Sequence, residues 1–323
     1  MSRKALSITL AVLVLLLFAA SLAAGKVWVP FDAWFSNDPR WWIIAELRLP
    51  RAILGLAIGA ALGLTGAVLQ GFLRNPLADP SVIGISSSAA LGAVTVIVLF
   101  STMAPLAIFA GAMIAACASM LLLAGLAWRA DSAVAFILAG TVLASLAAAL
   151  TAFLISIAPN PYAVAEIIDW IMGSLTDRNF TEVQFALPFI ATGSLLLFFT
   201  GRSLDALTLG EAAARSLGVR IARTQALIIL GSGLAVGASV AVTGVVGFVG
   251  LIVPHLLRPL VGARPGALLL PSALGGAALV LAADSLVRLA PGAGEVRLGV
   301  AMALLGTPFF FALLLRLRGS AWN

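Results

Sequence analysis

Uninterrupted apolar runs of about 20 residues recur along this chain, the length an α-helix needs to cross about 30 Å of hydrocarbon. LSITLAVLVLLLFAASLAAG near the start and AILGLAIGAALGLTGAVLQGF after Arg51 are two of them. Hydrocarbon offers no partner to a free backbone N–H or C=O, so such segments cross as helices or as a closed barrel. The runs are continuous rather than alternating, which excludes the barrel. Only 10% of the residues are charged, too few polar side chains to cover a soluble globule of this size. The chain reads as an all-α polytopic membrane protein, a single transmembrane domain over residues 1–323.

Ten spans are predicted, at residues 5–25, 50–72, 81–100, 104–127, 133–157, 183–200, 222–242, 245–262, 267–288 and 297–315. The first has a basic start and small residues at its end, as a signal peptide does. Its apolar core is longer than a signal peptide's, and it is expected to stay as a span. The net charge of +6 does not point to nucleic acid, because the basic residues stand at the ends of apolar runs. With the first residues in the cytoplasm, twelve of the 19 basic residues fall inside and seven outside, as the positive-inside tendency favours. Both termini are then expected in the cytoplasm of a cell whose inner membrane the chain crosses.

Part of the second span returns later. Gly59, Ala60, Thr65, Gly66, Val68 and Pro76 reappear 178 residues on as Gly237, Ala238, Thr243, Gly244, Val246 and Pro254. An echo at constant offset in a membrane chain points to duplicated halves, helices 2–5 and 7–10. Five spans separate the copies, an odd number, so the repeats are expected to be inverted. Glycines at four-residue spacing, 55, 59 and 63 with Gly66 beyond, make one face of the second span smooth enough for close helix approach. Asn75-Pro76 and Asp79-Pro80 read as a turn in which Asp79 caps the third span.

Three connections are more than turns. Residues 28–49 hold four of the seven tryptophans, as expected where a chain lies along the outer interface. Residues 159–182 are predicted to carry a short periplasmic helix at 163–172 and to form a gate segment. Residues 201–224 form a polar cytoplasmic loop in which Thr208 and Glu211 fit a capping box and Gly218 a left-handed helix end. A structured loop there is a candidate docking element.

Absences narrow the chemistry. Lys4 and Lys26 are followed by Ala5 and Val27, so the chain holds no P-loop, which needs Lys before Ser or Thr after a Gly-rich turn. ATP, if used, is hydrolysed by another subunit. One cysteine, Cys117, and one histidine, His255, exclude an intramolecular disulfide and argue against a Cys/His metal cluster. His255 is expected to satisfy carbonyls that Pro254 leaves free, with a gating role as the alternative. Asp284 stands four residues before Arg288, a pair that can neutralise itself, which disfavours proton coupling. Arg48 and Arg51 start a span at the outer face and Arg288 ends another on the same side. They are expected either to snorkel to headgroups or to form a cationic surface for acidic side chains of a soluble partner.

LRLPR at 47–51, TGAVLQ at 65–70, NPLADP at 75–80, LGEAAARSLGV at 209–219, GFVGLIVPHLLR at 247–258 and GEVRLGVAMALLGTPFF at 294–310 together resemble the FecCD/BtuC-type permeases. These are membrane subunits of type II ABC importers for iron-siderophores, haem and vitamin B12. The resemblance implies ten helices per subunit, a second permease copy forming a homodimer, two cytoplasmic ATPase subunits that bind ATP and magnesium, and one periplasmic binding protein. It implies no cofactor and no catalytic residue in this chain. It places Arg48, Arg51 and Arg288 as docking arginines for the binding protein. It also makes Leu209, Gly210, Glu211, Ala214, Arg215, Leu217 and Gly218 the coupling helices that enter a groove of the ATPase.

The pathway would draw on the fifth span and the helix at 163–172, including Glu166, with a cytoplasmic gate near Ser132. The family often has proline where this chain has Arg297. That extra cation either favours an anionic cargo or pairs with Glu295 or a headgroup. Gly59, Gly66, Asn75, Pro76, Asp79, Pro80 and Pro254 are taken as structural. The expected function is the permease of an importer for an iron chelate, with cobalamin as the alternative cargo. An ion-coupled secondary transporter is the alternative of another class, and a membrane scaffold or enzyme is a third.

Overall fold

The computed structural model describes residues 2–127, 133–262, 264–291 and 294–320. Its elements are helical, with no strand among the described residues. In order they are α1 Arg3–Ala23, α2 Leu49–Phe72, α3 Ile85–Leu99, α4 Pro105–Ala127, α5 Ala133–Ser156, α6 Pro161–Ile171, α7 Phe180–Phe198, α8 Gly201–Leu207, α9 Glu211–Ser216, α10 Ile221–Thr243, α11 Val249–Val261, α12 Pro265–Leu289 and α13 Leu298–Ser320.

Seven helices among the described residues are long and apolar enough to cross a membrane. Of the other three expected spans, two correspond to shorter apolar helices, α3 and α11, and the last to α13, 23 residues from Leu298 to Ser320. Length and apolarity alone therefore mark seven of the ten expected spans among the described residues. At 1.5 Å per residue the 15 residues of α3 and 13 of α11 cover only about 20 Å each. Irregular backbone precedes each of these two helices. Before α3, Asp79 accepts hydrogen bonds from the Ser81 N–H at 2.9 Å and hydroxyl at 2.6 Å. A 3₁₀ turn, Pro80–Ile83, follows, and Gly84 at φ +81° turns the chain into the helix. Before α11, residues 244–248 are not helical. Irregular backbone survives in such a fold only where protein covers it; here the start of α11 lies against the first segment, Gly250 against Pro80, and Gly244 of the second lies against Trp170 and Gly173.

The predicted inversion is present. α2 begins beside Glu295, which accepts from Arg51, and ends where Gly71 faces Leu204 of α8. α10 begins after α9 and ends at Thr243, whose carbonyl accepts from the Ser174 N–H at 2.7 Å. Thr176, two residues on, donates to Glu295, so the two helices run in opposite directions. α2 packs on α12, and its counterpart α10 packs on α4, the counterpart of α12. The echo extends to single bonds. Thr65 donates to the Ala61 carbonyl at 2.7 Å and Thr243 to that of Ser239 at 2.8 Å.

α2 is the axis of the bundle, buried from Pro50 to Gly71 apart from Ile53, Leu56 and Ala60. Lipid gives apolar helices no hydrophobic reason to associate, so close approach of small residues supplies the attraction. A methyl group on Gly59 would lie 2.3 Å from the Gly276 carbonyl oxygen, and one on Gly63 2.2 Å from that of Ser272. Backbone therefore touches backbone along α2 and α12. α1 is peripheral. It buries Leu6, Leu10, Val14 and Ser21, packs on α12, and leaves Ile8, Leu15 and Leu16 exposed.

The tryptophan segment is an aromatic chain. Trp28, Phe31, Trp34, Phe35 and Trp41 contact one another in sequence, while Trp28, Phe31, Phe35 and Trp42 remain exposed. Its polar tip is the Asp38–Arg40 pair at 2.6 Å. The Arg40 hydrogen bond lowers the Asp38 carboxyl to about 2.

Candidate functional site

Two features stand at opposite ends of the bundle. At the tryptophan-bearing end a cup of about 220 Å³ is lined by Lys26, Arg48, Arg51, Arg178 and Arg288, with Asp177 and Glu295 as its acids. Five cations against two carboxylates leave the mouth electropositive.

Sequence reasoning brought Arg48, Arg51 and Arg288 to one side of the membrane, and the fold brings them into one wall. It does not leave them as free surface cations, since their relative exposures are 6%, 8% and 3%. The last carbonyls of α1 explain two of them. Arg48 donates to the carbonyls of Leu22 at 3.0 Å, Ala23 at 2.9 Å and Val27. Arg288 donates to those of Ser21 and Ala24, both at 3.0 Å, and to the Ser21 hydroxyl at 2.6 Å. Two guanidinium groups thus satisfy the orphan acceptors of a helix C-terminus, at the end where the helix dipole favours a cation.

The third arginine closes an ion network. Arg51 meets Asp284 through Nε at 3.0 Å and Nη2 at 2.9 Å, and Glu295 at 2.8 Å. Asp284 also pairs with Arg288 at 3.1 Å. The expected self-neutralising Asp284–Arg288 pair is therefore shared with a second arginine, 233 residues from Asp284 in sequence. Burial pushes the Glu295 carboxyl up, but the hydrogen bond and charge of Arg51, with Thr176 assisting, hold it below its ordinary value.

Arg297 corrects an expectation. It pairs with Asp169 of α6 at 2.9 Å, not with Glu295, which Arg51 has taken. The pair reinforces a junction of three segments. Ser174 after α6, Thr243 ending α10 and Gly299 opening α13 are joined by the bonds Ser174 N–H to Thr243 O and Gly299 N–H to Gly173 O. A methyl on Gly299 would lie 2.3 Å from the Met172 carbonyl oxygen. Nothing in the sequence spacing announces this junction. Glu166 is exposed on α6 and lines a cavity of about 290 Å³ with Asn160 and Tyr162. Ser132 lies outside the described residues.

His255 also departs from expectation. Its Nδ1 has no hydrogen-bond partner among the described residues, and its ring meets Phe309 edge-on at 5.9 Å. The polar contact in this region belongs instead to Arg258, which donates to Gln70 at 2.7 Å, while Gln70 donates to the Gly250 carbonyl at 3.1 Å. Pro254 is buried inside α11. Asn75 accepts from the Leu77 N–H at 2.9 Å, and Pro76 is exposed.

At the opposite end, residues 201–216 form two short helices. The expected capping box is absent. α9 begins at Glu211 with Gly210 as its cap at φ +99°, and Thr208 instead donates to the Asp205 carbonyl at 2.6 Å. The left-handed end is present, with Gly218 at φ +84°. Asp205 accepts from the Gly266 N–H at 2.7 Å, tying α8 to the start of α12. Ala214 is buried, whereas Leu209 and Leu217 are 68% and 65% exposed. Glu211 and Arg215 face each other loosely at 3.7 Å. Two bare leucines on a braced helical loop form a knob that the described residues leave uncovered.

Comparison with known proteins gives a consistent picture. The model of the FecCD transport family matches residues 13–316. The chain is 41% identical over 275 residues to the cobalamin import system permease BtuC of Halobacterium salinarum, covering 84% of this chain and 73% of that one. It is 38% identical to the hemin transport system permease HmuU of Yersinia pestis, with 88% and 86% covered. With the Fe(3+) dicitrate permease FecD of Escherichia coli it shares 36%, covering 92% and 94%. A solved structure described as an inward-facing conformation of a metal-chelate type ABC transporter superposes with a TM-score of 0.86 at 32% identity, covering 97% of this chain and 99% of that one.

Proposed function

Because the chain belongs to the FecCD transport family, and so is a permease of an ABC importer, we propose that it moves a metal chelate inward across the cell's inner membrane as one of two identical permease copies. The observation that carries this reading is the family match over residues 13–316 in a chain with no P-loop of its own. ATP and magnesium then belong to a partner ATPase. The tryptophan-bearing end faces the periplasm, the α8–α9 loop faces the cytoplasm, and both termini are cytoplasmic.

The basic cup is the surface offered to a periplasmic binding protein. Arg48, Arg51 and Arg288 set its positive field while their hydrogen bonds hold its walls, and a partner's acidic side chains are steered toward it. Leu209, Gly210, Glu211, Ala214, Arg215, Leu217 and Gly218 make the knob for the ATPase groove. Binding protein and ATP must favour different states of the bundle for cargo to move.

For cargo, an iron chelate such as a siderophore or haem is supported by the haem and ferric dicitrate relatives and by the metal-chelate structure. Cobalamin is a second reading. Two cobalamin or vitamin B12 permeases are 41% and 40% identical to this chain, and the Asp169 pair removes the free cation that Arg297 offered an anionic cargo.

Coupling is tested at the exposed knob. Arg215→Glu or Gly218→Val is expected to leave the permease folded and bound to its binding protein. Stimulation of ATP hydrolysis by that protein is expected to fall at least about tenfold, because the knob's charge or its left-handed turn is lost. Stimulation equal to that of the unaltered complex would refute the assignment.

A further inference from the structure

Among the arginines of the periplasmic end, Arg178 differs from all the others. Arg40 is held by Asp38, Arg48 by three carbonyls, Arg51 by two carboxylates, Arg288 by Asp284 and the end of α1, and Arg297 by Asp169. Arg178 has no hydrogen bond or ion pair among the described residues, and its Nε is buried without a partner. A buried donor of a charged group left unmatched is costly, so the position asks for an acceptor from outside the chain.

The guanidinium is also well placed to receive one. Arg178 lines the basic cup and also a second cavity of about 120 Å³ between the ends of α4, α6, α7 and α10, where Trp170, Phe185 and Glu182 are neighbours. The backbone on either side is fixed. Asp177 adopts φ +58°, and Asn179 caps α7 in a reciprocal box with Glu182, whose carboxylate accepts the Asn179 N–H at 3.0 Å. Glu182 is buried and committed to that box, and Asp177 points to solvent as an exposed residue. Neither lies within salt-bridge distance of Arg178.

We propose that Arg178 is a binding-protein docking residue, the acceptor site for one aspartate or glutamate side chain of the docked protein. The assignment rests on the importer reading above. It differs from the role of Arg48, Arg51 and Arg288, which contribute field and wall. Arg178 contributes a fork of unmatched donors, which suits a carboxylate bound through two oxygens. Burial lowers the pKa of its guanidinium, with Glu182 and Asp177 opposing and Arg297 adding to the effect. An incoming carboxylate would relieve that unfavourable placement.

The test uses the full permease in lipid nanodiscs and its purified cognate binding protein, with affinity measured at low and at physiological salt. Arg178→Gln is expected to weaken docking about tenfold and to flatten its salt dependence. Arg178→Lys, which keeps the charge and loses the fork, is expected to recover part of the loss. Arg40→Gln, which removes an internally paired cation, should change affinity less than twofold. Unchanged docking by Arg178→Gln, or an equal loss in Arg40→Gln, overturns the proposal alone. Should the glutamine variant fail to fold, full affinity in the lysine variant overturns it. No docking by the unaltered permease would sink the importer reading and this proposal together.

Discussion

Gly66→Val is expected to leave no folded permease. A β-carbon at this position would lie 2.0 Å from the Gly250 carbonyl oxygen and 2.4 Å from its α-carbon, and backbone cannot swing aside as a side chain can. α2 cannot slide away, because Gly59 and Gly63 hold it against α12 over the neighbouring turns. Adding methylenes to a packed core costs about 1–3 kcal/mol where side chains can adjust; here the clash is with main chain and the cost is at or above that range. Size-exclusion chromatography in mild detergent is expected to show aggregate in place of the monodisperse peak. Gly125→Ala is the matched control, since nothing lies within 4 Å of the added carbon. That change is expected to be neutral or stabilising by about 0.5–1 kcal/mol. A Gly66→Val permease that elutes and melts like the parent would show that α2 and α11 are not in backbone contact.

The second large effect is expected at Asp284. Its side chain is 1% exposed, accepts from Arg51 and pairs with Arg288, both almost fully buried. Asp284→Asn preserves the shape but removes the charge that both guanidinium groups share. Breaking a buried pair from one side costs about 3–5 kcal/mol, because an uncompensated charge stays behind. Glu295 cannot replace it, since it reaches Arg51 alone and its side chain is 25% exposed. Glu295→Gln is accordingly expected to cost less, about 1–2 kcal/mol. Thermal unfolding in detergent should rank the parent first, Glu295→Gln second and Asp284→Asn last. An Asp284→Asn midpoint equal to that of the parent would mean that the network does not hold α1, α2 and α12 together.

What could be read in advance follows from the range of the interactions involved. Spans are a local property of apolar length, and the helices fall where the runs predict. The inversion was legible because Thr65-Gly66 and Thr243-Gly244 repeat at constant offset, and each threonine bonds the carbonyl four residues back. The short lengths of α3 and α11 were not legible. Hydropathy carries the expected spans through 81–84 and 245–248 and cannot see that the backbone there is not α-helical, nor that Gly250 of α11 packs against Pro80. Arg48 and Arg288 illustrate the same limit. Their position at span ends was plain, but the α1 carbonyls that engage them are 25 to 267 residues away. Asp169–Arg297 and Arg51–Glu295 are likewise pairings that only the fold decides. Arg178 and Lys26 fall among the seven cations that the sequence places on the outer side, but no motif singled them out, and only the fold brings them into the cup.

Vesicle reconstitution tests the central claim most directly. Proteoliposomes are prepared with the permease alone, with its partner ATPase, and with the ATPase and the binding protein. Each is offered labelled haem, a ferric siderophore and cyanocobalamin, with ATP on the side of the α8–α9 loop. One cargo is expected to accumulate only when all three components and ATP are present, and a proton ionophore should leave that uptake unchanged. Uptake by the permease alone, driven by a proton or sodium gradient, would contradict an ATP-driven importer and establish an ion-coupled carrier in its place.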